Sequence, residues 1–218
     1  MPSKNEQLQT LKDSGVVAVI RSDRSDELVQ VVQAISEGGI RAIEITMTTP
    51  GALDVIKTSV AKFKTSVLIG AGTILDTETA RVAILAGAEY LVAPTLNPAV
   101  IELCRRYNKI VIPGALTPTE ILTAWECGAD LVKVFPATRM GPRYFRDVKG
   151  PLPQIDLIPT GGVNLENAGD FIRAGASAIA VGSNLIDKQA VARGAWQVIR
   201  DTARKYVEAV HNARQDKA

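Results

Sequence analysis

Eight short apolar runs, GVVAVI, RAIEIT, VLIGAG, YLVAP, IVIPG, LVKVF, DLIPT and AIAVG, recur along the chain at a spacing of roughly 20 to 26 residues. Each is continuously apolar instead of alternating, as expected for a strand covered on both faces in a parallel sheet. Between them lie amphipathic stretches such as SDELVQVVQAISEG, TETARVAILAG and LTPTEILTAWECG. Several open on Ser, Thr, Asp or Asn and close on glycine, the start and stop signals of helices. The rhythm is strand, helix, strand, helix, eight times over.

A coarser repeat lies on top of it. Glu37-Gly38-Gly39, Ala86-Gly87-Ala88, Cys127-Gly128-Ala129 and Ala174-Gly175-Ala176 each end a helix just before an even-numbered run. Four similar units of two strands predict a closed sheet, and a (β/α)8 TIM barrel in one domain, residues 1–218, fits the count and the length. A short helix before Gly15 would cover the barrel bottom, and a long terminal helix would follow Asp187. The competing architecture is an open doubly wound sheet, which here lacks a G-x-G-x-x-G after its first strand.

Composition narrows the function. The chain has 218 residues, 46% of them hydrophobic, and its 25 basic and 23 acidic residues leave a net charge of +2. These are interspersed, so no nucleic-acid face and no polybasic membrane anchor is expected, and the partner is a small molecule. With neither an apolar leader nor a run long enough to span a bilayer, the chain reads as cytoplasmic. Cys104 and Cys127 stand apart and read as reduced packing residues. The single histidine, His211, lies in the tail EAVHNARQDKA, which argues against a histidine general base, a Ser-His-Asp triad and a multi-histidine zinc site. Acid–base chemistry falls to carboxylates, lysines or tyrosines, with no metal and no cofactor called for.

In such a barrel, chemistry gathers at the C-terminal strand ends. The first run ends at Arg21; the second carries Glu44 and Thr46; the third leads into Gly70-Ala71-Gly72-Thr73; the sixth holds Lys133; the last two end in Thr160-Gly161-Gly162 and Gly182-Ser183. Only a neutral amine attacks a carbonyl, and taking an ammonium out of water disfavours its charged form. A lysine inside an apolar run therefore suits a nucleophile, although one that snorkels outward or pairs with a carboxylate fits the sequence too. Glu44, a carboxyl in a central strand, suits proton transfer; a structural ion pair with Lys133 is the alternative. Gly161-Gly162 and Gly182-Ser183, at the ends where such barrels bind phosphate, read as a cradle of backbone N–H groups or, with no ligand, as tight turns. The glycines of the third run read as a close-packing device, with the Thr73 hydroxyl free to meet a substrate oxygen.

Glu44-Ile45-Thr46, Ile69-Gly70-Ala71-Gly72-Thr73, Ile112-Pro113-Gly114 with Thr117-Pro118, Lys133-Val134-Phe135-Pro136-Ala137, Gly150-Pro151 and Pro159-Thr160-Gly161-Gly162 together resemble the 2-keto-3-deoxy-6-phosphogluconate / 4-hydroxy-2-oxoglutarate aldolase family, across about residues 13–200. The resemblance implies a barrel that forms a homotrimer, a Schiff base on Lys133 and proton shuttling by Glu44. It further implies Thr73 at the substrate carboxylate, Thr160 beside the reacting aldehyde, and Gly161, Gly162, Gly182 and Ser183 around a phosphate. Many members carry an arginine four residues after the glutamate, where this chain has Thr48, so Arg21 is the expected carboxylate anchor. The implied substrate is a phosphorylated keto acid, 2-keto-3-deoxy-6-phosphogluconate. The alternatives are its galactonate epimer, 4-hydroxy-2-oxoglutarate, a phosphate-binding isomerase or synthase that forms no imine, and a phosphosugar sensor without turnover.

Overall fold

The computed structural model describes residues 2–216. Its strands all run parallel. They are β1 (Val16–Ile20), β2 (Ala42–Thr46), β3 (Leu68–Gly72), β4 (Tyr90–Val92), β5 (Ile110–Ile112), β6 (Gly114–Ala115), β7 (Val132–Val134), β8 (Leu157–Pro159) and β9 (Ile179–Val181). Six pair in the order β5-β4-β3-β2-β1-β9 and three in the order β6-β7-β8. Every apolar run of the sequence becomes a strand, but the fifth becomes two. Pro113 has no N–H to give a ladder: β5 pairs with β4 before it, and β6 pairs with β7 after it. At the other end of the shorter sheet, Thr160 bridges to Ala180 beside β9. The result is an α/β fold with its parallel strands curled around a common interior.

The curl explains why the runs are apolar throughout. Alternate residues such as Val16, Ala18, Ile43, Ile45 and Val132 face the helices. The others, including Val17, Ala42, Leu68, Tyr90, Ile110, Leu131, Ile158 and Ala180, form a separate inner cluster. Both faces of each strand are thus out of water.

The helices are α1 (Lys4–Ser14), α2 (Leu28–Glu37), α3 (Ala52–Phe63), α4 (Thr77–Leu85), α5 (Pro98–Arg106), α6 (Pro118–Glu126), α7 (Gly141–Lys149), α8 (Ala168–Arg173), α9 (Lys188–Ala192) and α10 (Trp196–Gln215). A Ser3/Glu6 capping box starts α1, and Gly15 ends it in the left-handed conformation. Its Leu8 and Leu11 enter the inner cluster. Polar links tie it to residues that precede three strands: Gln7 donates to Glu89, Lys4 pairs with Asp130 and Lys12 with Asp156. The leading helix therefore plugs the N-terminal end of the sheet and leaves the other end open for a site.

Two local features differ from those expected of the chain. In the four-fold repeat, Gly39, Gly87, Gly128 and Gly175 adopt φ of 99°, 103°, 96° and 105°, so Gly39 is the counterpart of the later glycines and Gly38 is not. Gly38 is right-handed and leaves room for α10: a β-carbon there would meet the Arg200 carbonyl at 2.6 Å. The segment after Asp187 is also not one long helix but a turn of α9 followed by α10.

Candidate active site

Glu44 and Lys133 occupy inward positions of β2 and β7, in step with the inner-cluster residues two places before them, Ala42 and Leu131. Both are buried, at 2% and 6% exposure. Among the described residues they form no ion pair with each other, and neither side chain has a hydrogen-bond partner. The ammonium instead lies 5.1 Å from the centre of the Phe135 ring, a modest cation–π contact. Burial pushes the Glu44 carboxyl above its ordinary value, against the pull of the Lys133 and Arg21 charges. A buried acid and a buried base that no direct pair satisfies are costly to keep, and such groups cluster at functional sites.

The third strand makes space for the acid. Gly70 and Gly72 face inward, opposite Glu44 and Thr46 of β2. A β-carbon on Gly72 would overlap the Glu44 carboxyl, and one on Gly70 would overlap the Tyr90 ring. The glycine pair is thus a floor on which two side chains from neighbouring strands lie. Thr73, directly after it, is held at φ 60°, a conformation that a β-branched residue adopts only when its surroundings impose it.

Arg21 follows β1 and is exposed, and its charge reaches Glu44. Thr46, Thr48 and Thr49 gather their hydroxyls beside it: Thr46 and Thr48 are 3.0 Å apart, and Thr49 accepts from the Ser22 N–H at 3.3 Å. Hydroxyls therefore fill the end of β2 where the family resemblance calls for an arginine.

Across the mouth, Thr160 is 9% exposed, its Oγ1 has no hydrogen-bond partner among the described residues, and its backbone joins β7 to the loop beyond through Val134 and Ala137. Gly161 and Gly162 follow at φ 91° and 74°. A β-carbon on Gly162 would meet the Thr138 Cα at 2.9 Å. The Asn184 side chain donates to the Val163 carbonyl at 2.7 Å, fastening the loop after β9 to the loop after β8. Gly182 accepts from Leu185 and Ile186 in a tight turn, and Ser183 sits inside that turn. Asn164 caps the turn before α8 by accepting from the Glu166 and Asn167 N–H groups, and α8 itself begins at Ala168.

Glu44, Lys133 and Arg21 are thus brought within electrostatic reach of one another, Thr73 adjoins the glycine floor, and the Thr160 and Gly182 loops are stitched together. Sequence reasoning missed Tyr90 and Thr138. Glycines at alternate positions of one strand were the available signal for Tyr90, since each empties a site that a neighbouring side chain then fills. Nothing in the pattern around Pro136-Ala137 singles out Thr138.

The family model for KDPG and KHG aldolase matches residues 8–202. The 2-dehydro-3-deoxy-phosphogluconate aldolase of Haemophilus influenzae is 30% identical over 204 residues, 93% of this chain and 96% of that protein. The 2-dehydro-3-deoxy-6-phosphogalactonate aldolase of Escherichia coli K12 is 35% identical over 184 residues, 84% of this chain and 90% of that one. A solved structure described as native KDPGal superimposes with a TM-score of 0.86 at 32% identity, covering 92% of this chain and 96% of its own. The matched span runs from the plug helix through both charged strands to the last helix, and on that breadth of agreement the chain belongs to the KDPG and KHG aldolase family.

Proposed function

We propose that the protein is a class I aldolase that cleaves 2-keto-3-deoxy-6-phosphogluconate to pyruvate and glyceraldehyde 3-phosphate through a Schiff base on Lys133. The observation that carries this reading is the buried Lys133 amine and the buried Glu44 carboxyl, facing one interior without pairing. Neutral Lys133 adds to the 2-oxo carbon; Glu44 donates a proton as the resulting hydroxyl leaves as water, and an iminium remains. The Glu44 carboxylate then takes the proton of the 4-hydroxyl, the C3–C4 bond breaks, and its electron pair moves into the iminium to give an enamine while the aldehyde departs. Glu44 returns the proton to C3, and water hydrolyses the iminium to pyruvate and free lysine. The iminium is the electron sink, so the scheme needs no cofactor.

Arg21 and Thr73 are assigned to the substrate carboxylate, holding the scissile bond over the iminium π-system. Thr160, with its unpartnered hydroxyl, is assigned to the aldehyde oxygen. Gly161, Gly162, Gly182 and Ser183 are assigned to the phosphate, a role supported by the Asn184 link between their loops.

We further infer that the two sheets close into one (β/α)8 barrel in a single domain. The Thr160–Ala180 bridge, the hand-over at Pro113 and the plug helix touching both sheets support closure. A cytoplasmic homotrimer completes the reading. Leu75, Val82 and Leu85 are exposed apolar side chains on and before α4, suited to subunit contact; sedimentation as a species of three 23.3 kDa chains checks it. No helix among the described residues is long and apolar enough to cross a membrane.

A second reading assigns the 6-phosphogalactonate epimer, favoured by the 35% identity to the relative that bears that name. Measuring pyruvate release from both epimers and from 4-hydroxy-2-oxoglutarate separates the two. The gluconate epimer is expected to be cleaved fastest; a faster rate on the galactonate epimer transfers the assignment. Lys133→Gln that retained pyruvate release would remove the imine mechanism altogether.

A further inference from the structure

The proposed mechanism leaves one buried ionisable group unused. Tyr90 is completely buried, and its hydroxyl has no hydrogen-bond partner among the described residues. Phenylalanine would fill the same space without stranding a polar atom, and an unpaired buried hydroxyl is costly.

Tyr90, Gly70 and Glu44 sit opposite one another on β4, β3 and β2. Adjacent strands are about 4.8 Å apart, so β4 and β2 are separated by the width of the single glycine-floored strand between them. The Tyr90 ring lies over Gly70 and the Glu44 carboxyl over Gly72; both lean across β3 from opposite sides. On its other flank Tyr90 adjoins Ile110, and its inner cluster is otherwise apolar. The groups acting on Glu44 are Lys133 and Arg21, and the group acting on Tyr90 is Glu44. Among the described residues, Glu44 is thus the acceptor whose charge reaches the phenol.

We propose that the Tyr90 hydroxyl, unpartnered in this arrangement, is a positioning group for Glu44: when Glu44 is ionised the phenol donates to its carboxylate and holds it over the glycine floor facing Lys133. Burial, and then the Glu44 charge, push the phenol well above its ordinary value, so the group stays an O–H donor at every working pH. A donor to the charged form favours that form. Tyr90 thereby offsets part of the desolvation that burial imposes on Glu44 and returns it to the carboxylate needed to take the 4-hydroxyl proton. The inference rests on the reading of Glu44 as the proton shuttle.

The test is Tyr90→Phe, read by kinetics and by titration of 13C-labelled glutamate carboxyls. Turnover is expected to fall about tenfold, less than the roughly 10²–10⁴-fold that a proton-transferring group itself contributes because Tyr90 acts only through Glu44, with KM nearly unchanged. The Glu44 titration, and the matching limb of the pH–rate profile, should move to higher pH. A fluorinated tyrosine at position 90, a stronger donor of the same shape, should move the titration the other way and keeps the test open if Tyr90→Phe folds poorly. An unchanged Glu44 titration in both variants, with turnover retained, overturns the proposal and leaves Tyr90 a packing residue. A shifted titration with unchanged turnover supports the contact and instead removes Glu44 from proton transfer, which Glu44→Gln with full activity would also do.

Discussion

Glu44 weakens the fold that holds it. Burial raises its carboxyl above the ordinary value of 4.5 despite the Lys133 and Arg21 charges. Above that ordinary value the folded chain holds a proton that the unfolded chain has released, so stability falls as pH rises from 4.5 through the folded value. Glu44→Gln, which keeps the shape and removes the charge, is therefore expected to raise stability at pH 8 by about 1–3 kcal/mol and to leave it nearly unchanged at pH 4. Thermal melts at the two pH values check this, and a loss of stability at pH 8 would point to a structural Glu44–Lys133 pair. Both residues were legible in the sequence because each puts a charge inside an apolar run. Tyr90 was not: a tyrosine opening YLVAP is an ordinary strand residue until the register sets it opposite Gly70. Nor was the absence of direct Glu44–Lys133 pairing, which depends on how two distant strands are spaced across the interior.

At the scale of elements, the plug helix depends on its polar anchors. Burial raises the Asp156 carboxyl, but hydrogen bonds from Lys12 and Ser177 outweigh it and hold the group below 3.8. Its stabilisation is fully present above that value and is lost as pH falls through the lower, folded one. Asp156→Asn is expected to cost about 1–3 kcal/mol at pH 7, shrinking in acid, and to speed amide exchange in α1 before the strands; exchange unchanged in α1 would show that Leu8 and Leu11 suffice to seat it. The strands were legible because an apolar run covered on both faces is short and bounded. Their pairing was less so, since the fifth run changes sheets at Pro113, which composition does not reveal. Helix starts were the weakest reading. The Ser25 cap expected for α2 is passed over and the helix begins at Leu28, with Glu27 at the cap position making no side-chain bond. The turn after Gly162 likewise satisfies itself through Asn164 before α8 begins.

For the whole molecule, the division of labour follows from the parallel sheet. One end is closed by α1 and its ion pairs; the other gathers an amine, a carboxyl, a guanidinium and two glycine loops. The eight-fold rhythm and the quartered glycines made that arrangement legible, because each unit must bury both strand faces and so needs its neighbours. Which epimer fits was not legible, since it depends on the relative placement of Thr160, Arg21 and the phosphate loops. The central claim is that one amine inside the sheet bonds covalently to a keto acid. Incubating the protein with pyruvate and sodium borohydride, then mapping its peptides by mass spectrometry, tests it most directly. A reduced pyruvyl adduct on Lys133 and on no other lysine is the predicted result; an unmodified Lys133 peptide would contradict the account.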